Sequence, residues 1–323
     1  MDVDHNSYGK EVRIRISPAP QSKTSSNEQP PMSRVLPIRA KSLVSPVKQP
    51  DTWFGLRYNM NLYRGCQHHC IYCDSRSLCY QIADFDHEIL YKENAIKLLA
   101  EELSHKRIKG TIGTGSMNDP YMPLEAELQL TRKALKVISD YHFPIHILTK
   151  SDLVLRDMDL IEQIQSTYAA VSFTITAADD DLSGRIEPGA PPSSRRFAAM
   201  SQFAQRGILS GVLLMPILPF INDDRQNLET LLRMAVDHGA SYVLPALGVT
   251  LRDRQRLYFY AMLDKQFPGM RGKYERKFGD QMYCPANHVW ELEEWVTDLC
   301  LKLNLPTKMP VYQSQTIEQL ALF

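Results

Sequence analysis

Cys66, Cys70 and Cys73 lie on one short stretch, Asn61-Leu-Tyr-Arg-Gly-Cys66-Gln-His-His-Cys70-Ile-Tyr72-Cys73. Thiolates are soft ligands, and three of them separated by three and then two residues can converge on a single centre. Three is also the number that leaves one iron of a cubane cluster without a protein ligand, free to bind a small molecule. Gly65 allows the loop to turn tightly into this segment. The competing arrangement is a structural zinc site, part of a non-catalytic module acting through partners, with His68 or His69 as the fourth ligand. Zinc sites usually pair their ligands across two knuckles, and no second C-x2-C or H-x3-H pair stands at the expected distance. Of the remaining cysteines, Cys79 lies beyond the loop, and Cys284 and Cys300 stand alone as core thiols.

Something must hold that loop, and hydrophobic periodicity indicates what. Short β-like runs at 58–63, 110–116, 144–150, 169–176, 208–216 and 241–247 alternate with amphipathic helical stretches. Six β-α units in succession imply a parallel sheet with right-handed crossovers. They are too few for a closed eight-fold barrel, and no glycine-rich dinucleotide fingerprint follows the first strand. The expected fold is therefore α/β, a partial (β/α)6 TIM-like barrel over residues 51–250. Residues 251–323 turn mostly helical and charged, as a C-terminal extension that packs on the barrel. Residues 1–50 hold seven prolines and eight serines with no sustained period, and are expected to be a disordered tail.

Composition narrows the function. The 323 residues carry 37 basic and 37 acidic side chains, so no global field favours a polyanion or an anionic membrane. Without the first fifty residues the balance is 29 basic to 33 acidic, so nucleic acid would have to be gripped by a local patch or by the tail. No run approaches the roughly 18 apolar residues of a membrane helix, and the first ten residues lack the apolar core of a signal peptide. The expected location is the cytoplasm, where clustered thiols serve metals or chemistry rather than disulfides.

The C-x3-C-x2-C spacing, with Tyr72 immediately before the last cysteine, resembles the signature of the radical S-adenosylmethionine superfamily. Thr114-Gly-Ser116-Met-Asn118-Asp119-Pro120, Ile147-Leu-Thr149-Lys150, Ser172-Phe-Thr174, Glu187-Pro188 and Pro216-Ile-Leu-Pro219-Phe-Ile-Asn222-Asp223 are similar to its spore photoproduct lyase-like branch. The likeness spans about residues 57 to 240. It implies that Cys66, Cys70 and Cys73 hold a [4Fe-4S] cluster, whose open iron chelates S-adenosylmethionine. An electron from that cluster, delivered by a flavodoxin- or ferredoxin-like donor, then cleaves the sulfonium to a 5′-deoxyadenosyl radical that abstracts hydrogen.

Substrates of parallel β/α folds bind at the carboxyl ends of the strands. Ser116 ends the second strand, where such enzymes hold the amino group of the cofactor's methionine, although a plain β-turn also explains Asn118-Asp119-Pro120. Lys150 ends the third strand, where its ammonium can pair with the methionine carboxylate. Ser172 and Thr174 are alternate residues of the fourth strand and point the same way, toward ribose or carboxylate. Met215 offers apolar surface for adenine, and Glu187 with one of Arg185, Arg195 or Arg196 makes either a buried pair beside the cofactor or a solvated rim. Spore photoproduct lyases return hydrogen from a cysteine near the end of the second strand. Here that strand ends Gly113-Thr114-Gly-Ser116 with no cysteine between Cys79 and Cys284, so thymine-dimer repair is not expected. Such repair would require Cys79 or a tyrosine such as Tyr121 as the hydrogen donor.

Overall fold

The computed structural model describes residues 34–49 and 51–313. Strands β1 (Arg34–Ile38), β2 (Val44–Pro46), β3 (Leu56–Met60), β4 (Tyr63–Arg64) and β5 (Glu88–Lys92) come first. Helices α1 (Ala95–His105), α2 (Glu125–Leu128), α3 (Leu130–Asp140), α4 (Met158–Gln165), α5 (Asp180–Ile186), α6 (Ser193–Gln205) and α7 (Arg225–Asp237) follow in chain order. Interleaved with them are β6 (Thr111–Thr114), β7 (Ile145–Thr149), β8 (Ala169–Thr174), β9 (Leu209–Leu214) and β10 (Val243–Pro245). The last described elements are β11 (Gly248–Thr250), α8 (Asp253–Gln266), α9 (Met270–Phe278), β12 (Tyr283–Pro285) and α10 (Val289–Lys302).

The main sheet runs β10-β9-β8-β7-β6-β3-β2, with six parallel strands and β2 added antiparallel to β3. Its edges β10 and β2 do not meet, so this is the open partial barrel that six β-α units imply. Strand alternation divides the side chains between two layers. On β8, Val171 and Phe173 join the helix-facing core with Ile138, Ile161 and Phe203, whereas Ala170 faces the interior with Leu213, Tyr242 and Met309. Extended chain after α10 closes the amino end of that interior. The Val243 N–H donates to the Pro306 carbonyl at 2.8 Å, the Tyr168 hydroxyl to the Pro310 carbonyl at 2.7 Å, and Phe54, Met309 and Val311 fill the floor.

Two expectations change. Residues 34–49, placed in a disordered tail, are ordered: β1 pairs in parallel with β5, and β2 antiparallel with β3. The Glu102 carboxylate receives the Leu43 and Val44 N–H groups at 2.8 Å each, and Asn94 exchanges two hydrogen bonds with the Ala40 backbone. Pro37 and Pro46 are tolerated because both strands lie at sheet edges. The rest of that stretch, residues 1–33, lies outside the described residues. The C-terminal extension does more than lean on the barrel. Phe259, Tyr274 and Phe278 of α8 and α9 form one apolar cluster with Cys70, Ile71 and Tyr72, covering the cysteine loop. No helix among the described residues is long and apolar enough to cross a membrane.

Candidate active site

The cysteine loop leaves β4 at Gly65, whose φ of +86° suits glycine. Any Cβ there would lie 2.5 Å from the Glu88 carbonyl oxygen. The far side of the loop is bonded to the chain that follows β8. The Ile71 N–H donates to the Ile186 carbonyl, and the Gly189 N–H to the His68 carbonyl, both at 2.9 Å. A Cβ on Gly189 would stand 2.1 Å from the Gln67 carbonyl oxygen, so the two segments touch backbone to backbone.

Cys66 and Cys70 are buried and Cys73 is half-buried. Burial pushes the Cys66 thiol up to about 12, with Asp119 and Cys73 adding to the rise. Burial likewise raises Cys70, and Glu187, Cys73 and Cys66 push it further. Burial raises Cys73 as well, so a cation drawn to the loop displaces protons as it binds. Both histidines of the loop face carboxylates. His68 Nδ1 faces Asp119 at 3.3 Å and His69 Nδ1 faces Asp86 at 3.7 Å. No three His, Cys, Asp or Glu side chains among the described residues converge closely enough to hold a single metal ion.

Charge surrounds the thiols at the carboxyl ends of β6 to β8. Asp119 accepts the Thr149 hydroxyl at 2.7 Å and the backbone N–H groups of Tyr121 and Lys150 at 2.9 and 2.7 Å. Burial alone would raise its carboxyl, but His68 and these donors hold it down at about 2. The Lys150 ammonium lies 5.7 Å from the Tyr72 ring centre. Desolvation would lower it, yet Cys70, Glu187 and Asp119 outweigh that and raise it. Glu187, 1% exposed, takes the Tyr72 hydroxyl on one oxygen and the fully buried Arg196 on the other. Its ionised form therefore persists despite burial. Arg196 also donates to the Thr174 carbonyl at 2.9 Å. The buried pair is thus Glu187 with Arg196, while Arg195 pairs with Asp152 on the surface.

The other expected residues spread over three levels. Thr174 shares the inward face near Lys150, and Met215 is half-buried above the floor against Leu148. Ser116 is exposed just past β6. Ser172 lies deeper and fully buried, its hydroxyl bonded to His146 Nε2 and to the Tyr242 hydroxyl at 2.7 Å each. Asn118 donates to the Tyr63 carbonyl at 2.5 Å, so beyond any turn it ties β6 to the strand entering the loop. Tyr121, the alternative hydrogen donor, is fully buried, and burial followed by Asp157 and Glu125 keeps its phenol protonated. Cys284 and Cys300 are buried in apolar clusters, and Cys79 is exposed. The Asp119–His68 contact went unread, since no local spacing relates residues 68 and 119.

The sequence model of the Radical SAM superfamily matches residues 60–232. An uncharacterized protein of Methanocaldococcus jannaschii is 37% identical over 191 residues, covering 58% of this chain and 70% of that one. An uncharacterized protein of Mycobacterium tuberculosis is 29% identical over 256 residues, covering 77% and 75%. Among solved structures, a spore photoproduct lyase variant with bound AdoMet and dinucleoside spore photoproduct superposes with a TM-score of 0.63. It is 15% identical, covering 86% of this chain and 81% of that one, so the likeness is one of fold.

Proposed function

Because the chain belongs to the radical S-adenosylmethionine superfamily, we propose that it binds one [4Fe-4S] cluster through Cys66, Cys70 and Cys73 and cleaves S-adenosylmethionine reductively. The observation that carries this reading is the placement of Cys66, Cys70 and Cys73, two buried and one half-buried, on a single loop bonded to the chain after β8, with the Lys150 ammonium 5.7 Å from the Tyr72 ring centre. When bound, the cluster supplies the electron that splits the sulfonium into methionine and a 5′-deoxyadenosyl radical. Lys150 offers the charge to receive the methionine carboxylate, and Ser116 offers a hydroxyl at the rim for the amino group. Thr174 lines the inward face toward the ribose, whereas the Ser172 hydroxyl, expected there too, is taken up at the floor by His146 and Tyr242, and Tyr72 and Met215 bracket the adenine with apolar surface. Glu187 and Arg196 hold Tyr72 from behind and keep water away from it.

The radical abstracts hydrogen from a substrate other than a thymine dimer. Support comes from the thiol inventory: besides the three ligands, the chain has one exposed cysteine, Cys79, and two in apolar cores, and none lies at the end of the second strand of the barrel. The electron comes from a flavodoxin- or ferredoxin-like donor in the cytoplasm, and DNA is bound weakly, through the basic N-terminal residues.

Anaerobic reconstitution tests the reading. The protein is expected to take up about four irons per chain and, once reduced, to release 5′-deoxyadenosine. Alanine at Cys66, Cys70 or Cys73 abolishes both, while Cys79→Ala retains both. Zinc without iron, or full activity in any one of the three, ends the assignment.

A further inference from the structure

The family match stops at residue 232, yet the segment after the third cysteine is gripped from beyond that point. The first turn of α8 supplies three consecutive side chains. The Asp253 carboxylate accepts the Ser77 hydroxyl at 2.8 Å and the Leu78 N–H at 3.2 Å. The Arg254 guanidinium donates to the carbonyls of Arg76, Ile82 and Ala83. Gln255, fully buried, donates to the Tyr72 carbonyl at 2.9 Å and the Thr250 carbonyl at 2.7 Å, and accepts the Arg252 N–H at 2.7 Å. One turn further on, the Tyr258 ring centre lies 3.4 Å from the Arg76 guanidinium, which is stacked 4.5 Å from Phe85 on another side.

Residues 74–80 are two short 3-10 turns whose few internal bonds are local, and they join no sheet. Such a segment has no ladder to fix its course. Most of the contacts from α8 end on backbone atoms between residues 72 and 83, within this segment or just beside it, so they fix the path of the chain largely independently of its side chains. Cys73 stands at the head of that segment, one residue from the carbonyl that Gln255 holds.

We propose that the first turn of α8 is a clamp that sets the third cysteine in place, with Asp253, Arg254 and Gln255 as positioning residues for the cluster. The inference rests on the cluster reading above and deepens it, because it assigns the C-terminal extension a part in that centre. Nothing in the clamp is a ligand. Its effect therefore appears first in the metal-free chain, as slow exchange of the amides it covers.

The test compares wild type, Arg254→Ala/Gln255→Ala and the conservative Arg254→Lys by amide hydrogen exchange without metal, and by iron retained after anaerobic reconstitution and gel filtration. In the double variant, exchange across residues 72–83 is expected to rise about ten- to a hundredfold, while β6 to β9 keep their protection and iron is lost. Arg254→Lys recovers part of both. Should the double variant fail to fold, Asp253→Ala, a change at an exposed position, carries the test through faster exchange at Leu78 and Cys79. Wild-type exchange and iron retention in the folded variants would overturn the clamp. A wild type that takes up no iron would instead overturn the cluster, leaving the exchange result to decide the clamp by itself.

Discussion

Strands β7 and β8 present the same inward face at both ends, yet the two ends treat polar groups in opposite ways. At the floor, Ser172 is hydrogen-bonded to His146 Nε2 and to Tyr242 beneath Phe54, Met309 and Val311, while His146 Nδ1 is buried without a partner. Burial lowers His146 to about 3, so no charge survives there. Four residues past His146 and two past Ser172, Lys150 and Thr174 stand near Glu187, Arg196 and Asp119, and the charges of Lys150, Glu187 and Asp119 persist. Burial is similar at the two ends, so desolvation does not separate them. What separates them is whether ionic partners are present to stabilise the charged form. A polar residue on an inward strand face is therefore a poor marker of a binding site by itself, whereas a cation held among anions and thiols is a good one.

The largest effect should come from breaking a charged pair behind the mouth. Arg196→Met leaves the Glu187 carboxylate buried without its main partner, and about 3–5 kcal/mol of stability should disappear in urea unfolding. A loss under about 1 kcal/mol would mean that Lys150 alone neutralises Glu187, and the two ends would then differ less than described.

Next comes the floor, probed by pH. His146 titrates near 3 in the folded chain and near its ordinary 6.5 when unfolded. Between these values the unfolded chain binds the extra proton, so stability falls as pH falls through that window. About 2 kcal/mol should be lost between pH 7 and pH 5 from this group, and His146→Gln should remove that part of the slope. An unchanged slope would show that the imidazole is charged in the fold.

The smallest effect separates binding from folding. Lys150→Met should weaken S-adenosylmethionine binding about tenfold, the low end for a charge-assisted hydrogen bond, with iron content unchanged. Equal affinity in calorimetry would place the cofactor's carboxylate elsewhere.

Much of this architecture was legible in the sequence because it is periodic. Each of the parallel strands β6 to β10 lies within or next to a run of apolar residues, and C-x3-C-x2-C sits on the expected loop. Glu187 was singled out, but choosing Arg196 over Arg195 required knowing which side of α6 faces the barrel. The edge strands β1 and β2 were hidden because their partners, Glu102 and Asn94, lie more than fifty residues away and their prolines mimic a linker. Asp253 to Gln255 were equally silent, since a side chain that grips backbone leaves no trace in the sequence it grips.

That grip also has a timing. Tyr72 and Gln255 are separated by 183 positions, and a ribosome adding about 5–20 residues per second takes on the order of ten to forty seconds to cover that interval. Throughout it the cysteines are already made while this restraint does not yet exist. The cluster loop is thus among the earliest parts of the barrel to be synthesised and among the last to be finished, and iron loaded onto the nascent chain would meet an unfastened loop.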